Sequence, residues 1–263
     1  TSLRTGLVLS RNVVTIKILN EIGLDYAINY LKRFDMKASL PRNLSLALGS
    51  GDVSPYNLFR AYAVFAQYGR RFEPHLVESV VQSGKGTIFH AGPPVRRVST
   101  GDGAEPAGEE FVISPQTAYI ITDILKDVVR EGTGWRAKAL GRPVAGKTGT
   151  SDDSRDTWFV GYTPDVLCGV WIGYDDMRSL GPSETGGRTA CPVFVDFMLT
   201  ALSDRPPRDF STPQGVVFAR VDPKTGRVSD MPEDQTRFEV FKEGAVPQDQ
   251  ETPGADDFLK EVF

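Results

Sequence analysis

The run Ala145-Gly146-Lys147-Thr148-Gly149-Thr150, followed by Ser151-Asp152-Asp153, holds the densest chemistry in the sequence. On the edge of a strand, Lys147 places a cation where a substrate carboxylate can lie. Thr148 and Thr150 add hydroxyl donors, and Gly149 removes a side chain where a ligand backbone must come close. A Lys-Thr-Gly run flanked by apolar residues is a recurring part of serine acyl-transfer sites. A second constellation, Ser10-Arg11-Asn12, stands far upstream at the head of an apolar-periodic segment. Each has a plain structural reading as well. Ser10 can be a helix cap, and Lys147 can be a solvated lysine guarding a sheet edge.

The elements that must carry these residues follow from spacing. Residues 2–34 read as helix in two pieces. Val13, Ile16, Leu19 and then Tyr26, Tyr30, Phe34 recur at helical intervals, Gly23 breaks the run, and Ser10-Arg11-Asn12 opens the helix that begins at Val13. Ser54-Pro55 and Ser114-Pro115 each start a helix with a cap and a proline at the first helical position. Gly69 is expected at C′ of the first of these, and Gly132-Thr133-Gly134 stops the second, with Arg130 and Glu131 closing it. Residues 75–90 read as a hairpin turning at Ser83-Gly84-Lys85-Gly86, and 99–109 as a mobile loop. Three strands follow at 143–150, 156–163 and 166–174, the last two joined tightly by Thr163-Pro164-Asp165. Cys191 to Leu202 reads as an apolar helix. Trp158 and Trp171 read as core, Asp152-Asp153 as solvated, and Thr185-Gly186-Gly187 as either a plain loop or one flanking the site. Beyond Ser203 the chain is polar and punctuated by proline, with short β pieces at 215–222 and 237–241. The expected division is 1–203 and a Pro-rich extension at 204–263 that frays at its end.

Composition narrows the class. The chain has 263 residues, 40% hydrophobic and 24% charged, with a net charge of −4. That is an ordinary globular composition without a nucleic-acid signal, and no apolar run approaches the roughly 18–20 residues that span a bilayer. The first residue is Thr1, so a processed or excised piece of a longer protein is expected. The two cysteines, Cys168 and Cys191, form no Cys-x-x-Cys pair, and His75 and His90 are the only histidines. Buried thiols or a disulfide are both open, and no metal or cofactor is expected.

Taken together, the motifs resemble those of the transpeptidase domain of bifunctional, class A penicillin-binding proteins. The resemblance covers nearly all of residues 1–203. It rests on Ser10-Arg11-Asn12, Arg130 to Gly134, Ala145 to Thr150, Asp156 to Pro164, Val170 to Asp175 and Thr185 to Pro192, in that order. Gly215 to Val228 is similar to that class's carboxy-terminal extension, more weakly. The resemblance implies an α/β (α+β) fold of the β-lactamase/transpeptidase type, an antiparallel sheet flanked by helices. It implies attack by a serine on the D-Ala-D-Ala bond of a peptidoglycan stem peptide, an acyl-enzyme, and transfer to an amine. β-Lactam antibiotics would acylate the same serine. Ser10 would then help move a proton to the leaving amine, and Asn12 would hold the substrate amide and the lysine serving the nucleophile. Lys147 would supply positive potential, and Thr148 and Thr150 would bind the terminal carboxylate beside Gly149. The backbone at Thr150 would donate one oxyanion-hole N–H, worth about 3 kcal/mol. The implied location is the periplasmic face of the inner membrane, beside a glycosyltransferase domain.

One signature of the resemblance is missing. Ser-x-x-Lys carries the nucleophile, yet no lysine here has serine or threonine three places before it: Lys17 follows Val14, Lys126 follows Asp123, Lys147 follows Val144. The nucleophile is therefore expected in a preceding segment. Only three of the five sheet strands implied by the resemblance are encoded, so the amino-terminal half of the same protein, as a second chain or cleaved fragment, is expected to complete the fold. This chain alone is expected to be inactive. The alternatives are a D,D-carboxypeptidase or β-lactamase-type hydrolase, and a non-catalytic module that binds cell-wall peptide.

Overall fold

The structure, a computed structural model, describes residues 2–91, 111–223 and 225–247. The expected loop at 99–109 and the expected fraying of the last residues lie outside these. The chain opens with three helices: α1 (Leu3–Val8), α2 (Asn12–Ile22) and α3 (Leu24–Leu31). Two helical pieces were expected, and the break at Gly23 is as read. The extra break falls at Leu9–Arg11, and α2 begins at Asn12 with Arg11 as its cap, not at Val13. The helix α4 (Pro55–Ala66) follows, then β1 (Ser79–Gln82) and β2 (Gly86–His90), α5 (Pro115–Arg130), β3 (Ala145–Thr150), β4 (Asp156–Tyr162) and β5 (Leu167–Gly173). A π turn at Gly186–Ala190 leads into α6 (Cys191–Ala201), and the tail forms β6 (Val216–Val221) and β7 (Arg237–Lys242). The β1–β2 strands are shorter than the hairpin read from sequence, because His75 to Glu78 make no ladder.

Both Ser-Pro starts work as read. Ser54 accepts from the Asn57 N–H at 3.3 Å and Ser114 from the Thr117 N–H at 3.2 Å, each satisfying one orphan donor of the first turn. The end of α4 differs from expectation. The Gly69 N–H reaches the Val64 carbonyl at 2.7 Å and the Tyr68 N–H reaches Phe65 at 3.2 Å. That is a Schellman closure with Tyr68, at φ +53°, in the left-handed C′ position and Gly69 one place later.

The central sheet has the order β3-β4-β5, all antiparallel. Residues alternate between its faces. On one face Ala145 and Tyr162 pack with Tyr119, Ile124, Leu125 and Val128 of α5, and with Val8 of α1. On the other, Phe159 packs with Cys191, Phe194, Val195 and Met198 of α6. The Phe159 and Phe194 rings meet at 4.7 Å between centroids. Helices therefore cover both faces of an antiparallel sheet, and among the described residues β5 pairs on one side only. The two cysteines are free, Cys191 buried and Cys168 partly so. The tail hairpin β6–β7 packs on α5 through Val240 and Val216.

The helix α4 seats on the sheet through a glycine. A Cβ at Gly169 would fall inside the Phe59 ring. Replacing Gly169 with Ala is expected to destabilise the fold by about 1–3 kcal/mol through overpacking. Phe59→Leu in the same chain should recover part of that loss, and urea unfolding of the single and double variants checks both.

Candidate active site

Ser10 is placed by the way α1 ends. The Arg11 N–H bonds the Gly6 carbonyl at 2.8 Å and the Ser10 N–H bonds Leu7 at 3.2 Å. This is a second Schellman closure, with Ser10 at C′ and φ +52°. Ser10 is thus not the cap of α2. Its hydroxyl is free to turn outward, where Lys147 Nζ donates to Ser10 Oγ at 3.0 Å. The same ammonium donates to the Thr148 carbonyl at 3.0 Å. Residues 137 positions apart thus meet across the gap between α1 and β3.

Strand alternation sorts the rest of the motif. Lys147 and Gly149 face the side where Val160 and Trp158 stand opposite them, and Thr148 and Thr150 face the other. The Thr148 and Thr133 hydroxyls lie 2.7 Å apart, and Thr150 Oγ1 accepts from the Gly186 N–H at 3.1 Å. The Thr185–Gly187 segment therefore flanks the motif strand. A Cβ at Gly186 would collide with the Gly149 and Trp158 carbonyls, so only glycine lets this segment lie so close. Thr133 and Gly186 were not singled out from sequence as motif partners. The Gly-Thr-Gly and Thr-Gly-Gly runs were the available signals.

Asn12 stands apart. It is exposed at the first position of α2 and makes no side-chain hydrogen bond to another described residue. The structure brings Ser10, Lys147 and Thr148 together, and leaves Asn12 at the rim.

A cleft of about 670 Å³ runs along this strand. One wall is Lys147 to Ser151 with Asp156, Trp158 and Val160; the other is mostly apolar, with Leu31, Met36, Leu40, Leu46 and Leu58, and carries Ser50 and Asp52 as well. Trp158 and Trp171 were expected in the core. Trp158 lines this cleft half-buried, and Trp171 is 42% exposed, its indole N–H donating to Asp156 Oδ1 at 2.7 Å. Asp152 and Asp153 are exposed, as read, Asp153 beside Arg155 at 3.1 Å. Burial pushes the Lys147 ammonium down to about 8, since desolvation disfavours the charged form.

Residues 1–199 match the family described as "Penicillin binding protein transpeptidase domain". The chain belongs to that family. Penicillin-binding protein 1A of Pseudomonas aeruginosa is 36% identical over 283 aligned residues, covering 93% of this chain and 34% of that protein. Penicillin-binding protein 1A of Neisseria lactamica is 43% identical over 218 residues, covering 82% and 26%. A crystal structure of penicillin-binding protein 1A from Haemophilus influenzae superposes with a TM-score of 0.83 at 29% identity, over 96% of this chain and 41% of that one. The chain thus spans about a quarter to a third of the length of these curated relatives. The transpeptidase fold read from the motifs is the fold found. Among the described residues no helix is long and apolar enough to cross a membrane.

Two outcomes follow from this transpeptidase-domain site. A serine in left-handed backbone costs about 1–2 kcal/mol that glycine avoids. Ser10→Gly should therefore unfold at higher urea than Ser10→Ala, by about 1 kcal/mol, although both lack the hydroxyl. The second concerns pH. The folded chain holds Lys147 at about 8 against the ordinary 10.5, so between those values the unfolded chain binds more protons. Stability then rises with pH across that window. Lys147→Met should flatten the rise, as read from urea midpoints at pH 8 and pH 10.5.

Proposed function

We propose that this chain forms two walls of a peptidoglycan D,D-transpeptidase site, the Ser-x-Asn wall and the Lys-Thr-Gly wall. The observation that supports the reading is the Lys147–Ser10 hydrogen bond, which brings one residue of each motif into contact. In this reading a serine from a preceding segment of the same protein attacks the carbonyl carbon of the penultimate D-Ala. Its Oγ–C bond forms, the C–N bond breaks, and the terminal D-Ala leaves as an amine. Ser10 passes the proton that this amine takes up. Lys147, with Thr148 and Thr150, holds the terminal carboxylate, and Asn12 turns inward to the substrate amide once the missing wall is present. An acceptor amine then attacks the ester and frees the serine. β-Lactams take the substrate's place and remain as the acyl group. The preceding segment also fills the apolar side of the cleft and pairs the open edge of β5, where unpaired backbone groups are costly. The enzyme works on the periplasmic face of the inner membrane, with its anchor elsewhere in the protein, and the Pro-rich extension that follows residue 203 packs its hairpin β6–β7 on α5.

The protein carrying this chain and its nucleophile segment should take a covalent fluorescent penicillin label. This chain alone should take none. Absence of label on the complete protein under native conditions would sink the enzyme reading in favour of a binding module. Lys147→Ala should slow labelling about 100-fold or more. Labelling should also fall as pH rises through about 8, where Lys147 loses its charge. Lys147→Arg, always charged, should lose that alkaline limb. Product analysis with an amine acceptor separates transpeptidation from hydrolysis.

A further inference from the structure

The helix α1 that presents Ser10 has six residues, too short to hold a shape by itself. Its far end is fixed by Arg4, which is only 6% exposed. Arg4 donates to Asp127 Oδ2 at 2.5 Å and Asp123 Oδ2 at 2.7 Å, both on α5. Its third partner is Glu239 on the tail hairpin, where Arg4 Nε donates to Oε2 at 2.6 Å. Arg237, two places before Glu239, donates to Asp127 and to Glu131 Oε1 (3.0 Å), and its Nε stands 3.6 Å from Glu239 Oε1. Arg130 completes the ring at Asp127 Oδ1, 3.0 Å away. Asp127, 2% exposed, thus meets three guanidinium groups. Val8 of α1 and Val240 of β7 lie in one apolar cluster beside this ring. The hairpin residues fall outside the stretch that matches the family.

We propose that Glu239 and Arg237 are positioning residues for Ser10, acting through Arg4 and Asp127. The Glu239 carboxylate bridges Arg4 and Arg237, and so fixes the direction in which α1 leaves the body of the domain. The proposal rests on the transpeptidase reading only for its catalytic consequence. Its structural consequence stands by itself. A guanidinium fork bound on several sides is rigid, and a shift of about 1 Å in a catalytic hydroxyl can cost up to about 100-fold in rate.

The test uses the complete protein and a fluorescent penicillin. Glu239→Gln and Arg237→Gln should lower the acylation rate constant about tenfold while leaving the non-covalent dissociation constant of the penicillin within about twofold, because Thr148 and Thr150 are untouched. Glu239→Asp should recover part of the rate. In a Ser10→Ala background, Glu239→Gln should add nothing further. Unchanged acylation in both variants, or full multiplicativity with Ser10→Ala, overturns the proposal. Amide exchange gives a readout that needs no chemistry. The Ser10 and Arg11 N–H groups, which close α1, should exchange about tenfold faster in Glu239→Gln, with the β3 amides unchanged. Equal exchange at Ser10 and Arg11 overturns the proposal even if the native protein never takes penicillin, a result that would instead count against the transpeptidase reading.

Discussion

The Lys147 ammonium is held in a partly desolvated cleft wall with two neutral oxygens for company, Ser10 Oγ and the Thr148 carbonyl. No carboxylate among the described residues lies within ion-pair reach of it, and burial alone pulls its proton affinity down. In the proposed transpeptidase reading, carboxylate binding depends on that deficit. An ammonium short of counter-charge attracts an incoming carboxylate more strongly than one already paired, because the interaction forms where water is scarce. The elements around it fix the arrangement. The ladder with β4 fixes the strand, Gly186 and Thr133 hold its far side, and the closure of α1 brings Ser10 across.

The contrast with Arg4 shows how differently the same fold treats a cation meant to stay put. Burial would lower its proton affinity too, but Glu239, Asp123 and Asp127 outweigh that and hold the guanidinium above its ordinary value. Three carboxylates share that one guanidinium, so it stays paired when any one of them is lost. Lysine suits the first role and arginine the second, because lysine titrates when desolvated and arginine does not. One cation has two neutral oxygens for partners in the cleft wall, and the other is saturated where α1, α5 and the tail hairpin meet.

Much of this was legible in the residues. The three central strands, their turn at Thr163-Pro164-Asp165 and both Ser-Pro helix starts follow from local signals, and the Lys-Thr-Gly strand emerged where the pattern placed it. The misreadings share physical causes. Ser10 and Tyr68 both occupy left-handed C′ positions, a place where glycine is the usual signal, so the end of α4 was read one residue late and the end of α1 was not read at all. An apolar strand does not say which of its faces is covered, and Trp171, expected in the core, is 42% exposed. The ion cluster was invisible for another reason. Arg4 meets Asp127 across 123 positions and Glu239 across 235, and Arg130 and Glu131 looked like nothing more than a helix end.

The left-handed serine ties these points together. A Schellman C′ with glycine would be more comfortable, yet glycine has no hydroxyl to accept from Lys147. The strain at Ser10 is therefore maintained by its surroundings and not by its own preference. Such a conformation persists only when the flanking structure over-determines it. Here the flanks are the packing of Gly6 against Val14, the seating of Gly132 under the Val8 carbonyl, and the anchorage of Arg4. The first two act at the Ser10 end of α1 through backbone contact, and the last acts at the opposite end through charge. The short helix α1 is thus held at both ends, and the tail hairpin meets the end opposite Ser10 although Arg4 and Glu239 stand 235 positions apart.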